Sequence, residues 1–290
     1  MTKPQLSEIS NTYSLILCDI WGVVHNGNNL YPEAVNSLSA YLETGGDICL
    51  ITNAPRRSNI IRDYLVNMGV SNDICNNIIS SGDCSYSWLS SVKDRPLFHI
   101  GPEKDNSLFT GLDLKKVSEF ECLECICTGF FNEYIEAIDD YQKLLETLLE
   151  RGIVIHCANP DLYVNKGNIR LPCAGLIAQS YSQMGGEVVY FGKPHPFIYE
   201  LALDKVCKLK QKSMPKNRIL AIGDGLNTDI AGASNFGIDS FFIINGVHEG
   251  EFQKNNDTSE IDNEYIRDYI NKYYANIASP KYIMNSLNLL

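Results

Sequence analysis

Three stretches of this sequence run an apolar segment into polar residues able to do chemistry: "LILCDIWG" at 15–22, "CLITNAPR" at 49–56 and "ILAIGDGLNTDIAG" at 219–232. A buried strand that stops at a carboxylate presents it at the strand's C-terminal end, which is where open α/β sheets bind ligands. Asp19 and Asp224 both stand at such an exit, so two carboxylates remote in sequence could meet across one sheet edge. Two oxygen donors of that kind suit Mg2+, which takes one or two carboxylates and completes its shell with water and substrate phosphate. Thr52 and Asn53 add neutral donors to the same rim, and Lys193 of "YFGKPHP" adds a point charge.

The elements that must position these residues alternate in type. "SLILCDI" reads as a buried strand and "YPEAVNSLSAYLETGG" as a helix, with Pro32 near its start and Gly45-Gly46 at its end. "DICLITN" is a second strand, a helix carries Ile60, Ile61, Tyr64, Leu65 and Met68, and "NIISSGD" is a third strand running into a turn. This is the βαβαβ order of a doubly wound parallel sheet. Residues 84–187 repeat the alternation as a second α/β unit, through strands in "LFHIG", "CICTGF" and "IVIHCANP" and helices in "YIEAIDDYQKLLETLLERG" and "GLIAQSYSQMGG". The last third returns with helix "PFIYELALDKVCKL", strand "RILAIGDG", helix "NTDIAGASNFG" and strand "SFFIING". Near the C-terminus Ile261, Tyr265, Ile266, Tyr269, Ile270 and Tyr273 fall at helical spacing, as for core or interface packing.

Charge narrows the partners. A formal net charge of −11 and a pI near 4.9 argue against nucleic acid and against a polybasic membrane patch, because both need concentrated Lys and Arg. A small ligand is the expected partner; if anionic, it needs a local cation or metal, since the overall field repels it. Several cysteines, among them Cys18, Cys49 and Cys207, sit inside apolar runs, which reads as reduced thiols in a cytoplasmic protein. Cys122, Cys125 and Cys127 contain one CxxC without a second pair at zinc-site spacing, so they read as strand cysteines. The first apolar segment contains Asp19 and lacks a cleavage pattern, and no apolar run is long enough to cross a membrane. Oligomeric state is left open.

Other site readings fail on spacing. "GGEVVYFGKP" puts five residues between Gly186 and Gly192 where a P-loop needs four, and "GDGLNT" lacks the third glycine of a dinucleotide fingerprint. His156 and His195 are single histidines near strand or helix ends, and Arg56 and Arg57 either help attract an anion or stand at a solvated helix start.

With these residues in hand, the chain resembles the haloacid dehalogenase superfamily of hydrolases, in its NagD-like branch with the larger cap. The resemblance rests on four motifs in order over roughly residues 14–245: Asp19-Ile20-Trp21-Gly22-Val23, then Thr52-Asn53, then Lys193, then "GDGLNTD" with Asp224 and Asp229. It implies a Rossmann-like core from residues 1–83 and 188–290, with 84–187 inserted as a mobile α/β cap. It also implies an Mg2+-dependent phosphatase acting on a small phosphorylated metabolite. Asp19 would be the nucleophile that forms an aspartyl-phosphate. Thr52, Asn53 and Lys193 would hold the transferring oxygens, and Asp161 of the cap's "ANPDLY" would either face substrate or stabilise a turn beside Pro160. Asp19, the backbone carbonyl at Trp21, Asp224 and Asp229 would serve the metal.

Trp21 departs from the pattern. Phosphatases of the superfamily carry a second aspartate there, which protonates the leaving oxygen and then activates water, and indole does neither. Losing a general acid/base costs about 10²–10⁴-fold. The expected outcome is weak turnover favouring good leaving groups, with a catalytically impaired phospho-ligand-binding or regulatory protein as the alternative. His25, four residues on, titrates near neutrality and is a candidate substitute acid/base, or else an incidental loop histidine.

Overall fold

The computed structural model describes residues 4–248, 252 and 263–290. A short helix α1 (Leu6–Thr12) leads into strand β1 (Leu15–Cys18), followed by α2 (Pro32–Glu43), β2 (Asp47–Thr52), α3 (Ser58–Met68), β3 (Ile78–Ser80) and α4 (Ser81–Ser91). The middle of the chain comprises β4 (Leu97–Ile100), β5 (Glu124–Cys127), α5 (Gln142–Glu150), β6 (Ile155–Cys157), the hairpin β7 (Tyr163–Lys166) and β8 (Ile169–Pro172), α6 (Ala174–Gln183) and β9 (Val188–Tyr190). The remainder is α7 (Pro196–Lys210), β10 (Ile219–Gly223), α8 (Ala231–Phe236), β11 (Asp239–Ile243), α9 (Asn263–Tyr273) and β12 (Tyr282–Met284).

A six-stranded parallel sheet in the order β12-β11-β10-β1-β2-β3 carries the first and last thirds of the chain. Every residue of β1 is buried because helices cover both of its faces, and alternate side chains serve each face. Ile16 and Cys18 pack with Leu38 and Tyr41 of α2 and Leu65 of α3; Leu15 and Leu17 pack with Ile198, Tyr199 and Ala202 of α7. The continuous apolar run "LILC" follows from that two-sided cover. β1 lies between β2 and β10, which places the exits of all three chemistry-bearing segments side by side at the sheet's C-terminal edge.

A second parallel sheet, β4-β5-β6-β9, has its own core of Cys125, Cys127, Leu145, Leu148, Ile155 and Ile177, and the β7-β8 hairpin stands apart as a two-stranded antiparallel ribbon. The boundaries expected at 83/84 and 187/188 need adjustment. Helix α4 spans the first crossing, with Cys84 in the core of the larger sheet and Leu89 packed with Leu97 and Ile126 of the smaller one. Val188–Tyr190 pairs with Ile155–Cys157, so the return to the larger sheet falls after Tyr190. In the C-terminal helix Ile266 and Ile270 are buried while Tyr273 is exposed, and Ile261 lies outside the described residues. All ten cysteines are free, and nine are buried. Among the described residues no helix is long and apolar enough to cross a membrane.

His156 of β6 stacks on Trp88 of α4 at 3.8 Å between ring centroids and on Phe191 of the return segment at 6.1 Å, so one imidazole joins both crossings. Burial lowers its pKa to about 4. The folded state therefore binds the imidazole proton less readily than the unfolded state, whose value is about 6.5. Stability from this group is complete above about pH 6.5 and falls as the pH drops toward 4, by about 1.4 kcal/mol per unit. His156→Phe is expected to flatten that part of a melting-temperature profile between pH 7 and 4. An unchanged slope would show that other groups set it.

Candidate active site

Asp19, Asp224 and Asp229 are buried together at the sheet edge, each offering an oxygen within 4.8 Å of the others'. Asp19 directly follows β1, its N–H donating to Ile222 O of β10 at 2.8 Å. Asp224 follows β10, and its Oδ2 accepts the Val247 N–H at 2.7 Å. Gly22 lets these two segments close up: its φ is +87°, and an added Cβ would lie 2.0 Å from Asp224 Oδ2. Asp229 sits in a single π-turn over Leu226–Ile230, where its Oδ2 accepts the Gly225 N–H at 3.0 Å.

Lys193 joins the cluster from the far side. Its side chain is 2% exposed, and the ammonium bonds both Asp19 Oδ1 and, at 2.7 Å, Asp229 Oδ1. The Asn53 side chain grips its backbone, Oδ1 accepting the Lys193 N–H at 2.7 Å and Nδ2 donating to Lys193 O at 3.1 Å. Thr52 Oγ1 accepts the Ala54 N–H at 3.2 Å, which fixes the β2 exit beside them. Burial alone would drive the Lys193 ammonium neutral, but the Asp19 and Asp229 carboxylates outweigh it and hold its pKa above the ordinary lysine value. Burial, reinforced by Asp229, pushes Asp224 up to about 7. Asp19 is raised as well, by burial and the neighbouring carboxylates against the pull of Lys193.

Three carboxylates facing one ammonium leave an excess of buried negative charge. That excess and the all-oxygen donor set fit a hard divalent cation, and among the described residues no other group of three or more His, Cys, Asp or Glu gathers in this way. Cys125 and Cys127 are instead core residues of the smaller sheet.

Trp21 turns its indole away from proton chemistry. Nε1 donates to Asn165 O of the β7-β8 hairpin at 2.8 Å, and the ring meets His25 edge-on. Two further bonds tie that hairpin to the larger sheet's loops, Gly167 N–H to Asn26 O at 3.2 Å and Asn165 Nδ2 to Gly246 O at 3.3 Å. The residue that lacks acid/base chemistry thus fastens the two units together.

Asp161 also reaches across, its Oδ1 accepting Asn53 Nδ2 at 2.9 Å. Asp19, Trp21, Thr52, Asn53, Lys193 and Asp229 share with Asp161 the wall of a cavity of about 1090 Å³. A smaller cavity of about 520 Å³ shares Trp21, Thr52, Asp161 and Val164 with the larger one, and it holds His25 and Arg56. Arg56 pairs there with Asp105 at 3.1 Å, and Arg57 lies over the Tyr86 ring, so neither reaches the carboxylate cluster. The sequence reading missed the hairpin carbonyl of Asn165 and the Val247 N–H, because backbone groups leave no signature in residue type.

A haloacid dehalogenase-like hydrolase family model matches residues 16–115, and a second HAD-hydrolase-like model matches 190–272. A solved hydrolase of the haloacid dehalogenase-like family from Brucella suis 1330 is 35% identical, with a TM-score of 0.85 over 99% of this chain and 100% of that one. The acid sugar phosphatase of Staphylococcus haemolyticus is 33% identical over 184 residues, 62% of this chain and 65% of that protein. The ribonucleotide monophosphatase NagD of Escherichia coli K12 is 22% identical over 81% of this chain and 89% of its own length.

Proposed function

The chain belongs to the haloacid dehalogenase-like hydrolases, and from that premise we propose that it hydrolyses the phosphate monoester of a small metabolite, sugar- or nucleotide-phosphate-like. Support for this substrate class comes from the acid sugar phosphatase and the nucleotide monophosphatase that the chain is similar to. The observation that carries the reading is the convergence of Asp19, Lys193, Asp224 and Asp229 at one sheet edge.

Asp19 attacks phosphorus, the ester oxygen leaves, and water then hydrolyses the aspartyl-phosphate. Lys193 offsets the repulsion between carboxylate and phosphate dianion, and the Thr52 hydroxyl and the Asn53 N–H hold the transferring oxygens. Asp19, Asp224, Asp229 and the backbone carbonyl of Trp21 would hold Mg2+, which when bound supplies charge stabilisation to the phosphoryl group. The smaller sheet unit acts as a cap that excludes water from the larger cavity. Ten unpaired cysteines support action in the cytoplasm.

Position 21 favours a second reading, a phospho-ligand-binding or regulatory protein with little turnover, because none of the core loop's own residues replaces the missing acid. Phosphate release from a panel of aryl and alkyl monoesters separates the two. The enzyme reading expects turnover that chelation removes and added Mg2+ restores. Turnover indifferent to chelation would discard the metal, and phosphate binding without turnover would favour the second reading.

A further inference from the structure

We propose that Asp161, delivered from the cap, performs the proton transfer that position 21 cannot. This rests on the phosphatase reading above and completes it. Asp161 follows β6, at the C-terminal edge of the smaller parallel sheet, and its backbone satisfies the local turn without help from its carboxylate. The Asp161 N–H donates to Asn159 Oδ1 at 3.1 Å, and its carbonyl accepts the Gly175 N–H at 3.1 Å. That approach requires glycine, since a Cβ at 175 would stand 2.3 Å from Pro160 O. The carboxylate is therefore free to cross to the core, where Asn53 Nδ2 takes one oxygen and the other has no hydrogen bond among the described residues.

The other titratable groups around the site are placed or engaged differently. His25 lines the smaller cavity and not the one holding Asp19; its Nδ1 accepts the Gly27 N–H at 2.9 Å, and its ring lies between Trp21 and Tyr64. His195 and His248 line the same cavity as Asp19, but His195 stacks on Tyr190 and His248 Nε2 is taken up as acceptor of the Leu226 N–H. Asp19 and Asp229 are engaged by Lys193, and Asp224 by the Val247 N–H. Asp161 shares the cavity wall with Asp19 and is bonded to the residue that clamps Lys193. Burial holds its carboxyl above the usual carboxylate range, against the opposing pull of Lys193 and Asn53, which favours an acid able to give and retake a proton.

In the first step Asp19 Oδ forms a bond to phosphorus as the phosphorus–ester oxygen bond breaks, and the Asp161 carboxylic acid passes its proton to that oxygen, releasing the alcohol. In the second, the Asp161 carboxylate takes a proton from water as the water oxygen attacks phosphorus and the bond to Asp19 breaks. Phosphate leaves and both carboxyls return to their starting states.

The test compares wild type, Asp161→Asn and Asp19→Asn on an alkyl phosphate and on 4-nitrophenyl phosphate, with Mg2+ saturating. Asp161→Asn preserves size and one acceptor oxygen, and it is expected to lower kcat for the alkyl ester by about 10²-fold or more. Nitrophenolate leaves without a proton, so the aryl ester should still give a burst close to one equivalent, followed by slow turnover as the phosphoenzyme waits for a base. A merely structural clasp would lower both esters alike and give no burst; that result, or an alkyl-to-aryl ratio of kcat/KM unchanged from wild type in an active protein, overturns the proposal alone, since kcat/KM reports only the steps through departure of the ester oxygen. Wild type inactive on both esters, or Asp19→Asn retaining activity, overturns the phosphatase reading and this proposal with it.

Discussion

Asp19→Asn is expected to abolish turnover of aryl and alkyl phosphates together, by at least about 10⁴-fold, because the amide cannot form the phosphoenzyme. Leaving-group quality does not rescue this loss, which separates it from loss of an acid: both esters need the Asp19–phosphorus bond. The fold should survive. Asp19 is one of three carboxylates facing a single ammonium, and Lys193 keeps its 2.7 Å bond to Asp229, so removing one negative charge relieves repulsion in the buried cluster. Without metal, the variant should melt at or above the wild-type temperature. Activity within tenfold of wild type would assign the nucleophile elsewhere; activity lost together with a large fall in melting temperature would mean that the substitution broke the fold.

The position of Asp19 was legible because burial on both faces writes an uninterrupted apolar run, and such a run ending on a carboxylate has few structural uses. Lys193 could be placed from its motif, although nothing local to "YFGKPHP" says that its ammonium reaches two aspartates. Less regular elements were hidden. The β7-β8 hairpin is half-exposed with little alternation of burial, so no period of two marks it. Helix α4, "SGDCSYSWLSS", is serine-rich and read as a turn after β3. Its start is fixed by a reciprocal cap in which Ser80 Oγ accepts the Asp83 N–H and Asp83 Oδ2 accepts the Ser80 N–H, a pattern visible as Ser-x-x-Asp. Trp21 illustrates the limit from the other side. Its residue type tells which chemistry is missing, while its contact with Asn165 depends on a chain segment 144 residues away.

Lys193→Met is expected to cost about 3–5 kcal/mol of stability in metal-free protein at neutral pH, since removing one partner of a buried ion pair leaves the others uncompensated. For a chain of this size that is a fall of roughly 5–8 °C in melting temperature. Methionine keeps the apolar stem as far as Cε and removes only the ammonium, so the effect isolates the charge that Asp19 and Asp229 share. The pH dependence carries the sign. In the variant the clustered carboxyls are raised further above their unfolded values, so they fold most favourably when protonated, and the deficit should shrink as the pH falls from 8 to 5. A cation that binds the folded cluster adds stability by mass action, so Mg2+ should raise the melting temperature of Lys193→Met more than that of wild type, where the ammonium already offsets part of the charge. Activity should fall as well, because the phosphate dianion then meets Asp19 without the lysine between them. A melting temperature within about 2 °C of wild type at every pH, a shift of under about 1 kcal/mol, would show that the ion pair is not what holds the three aspartates together.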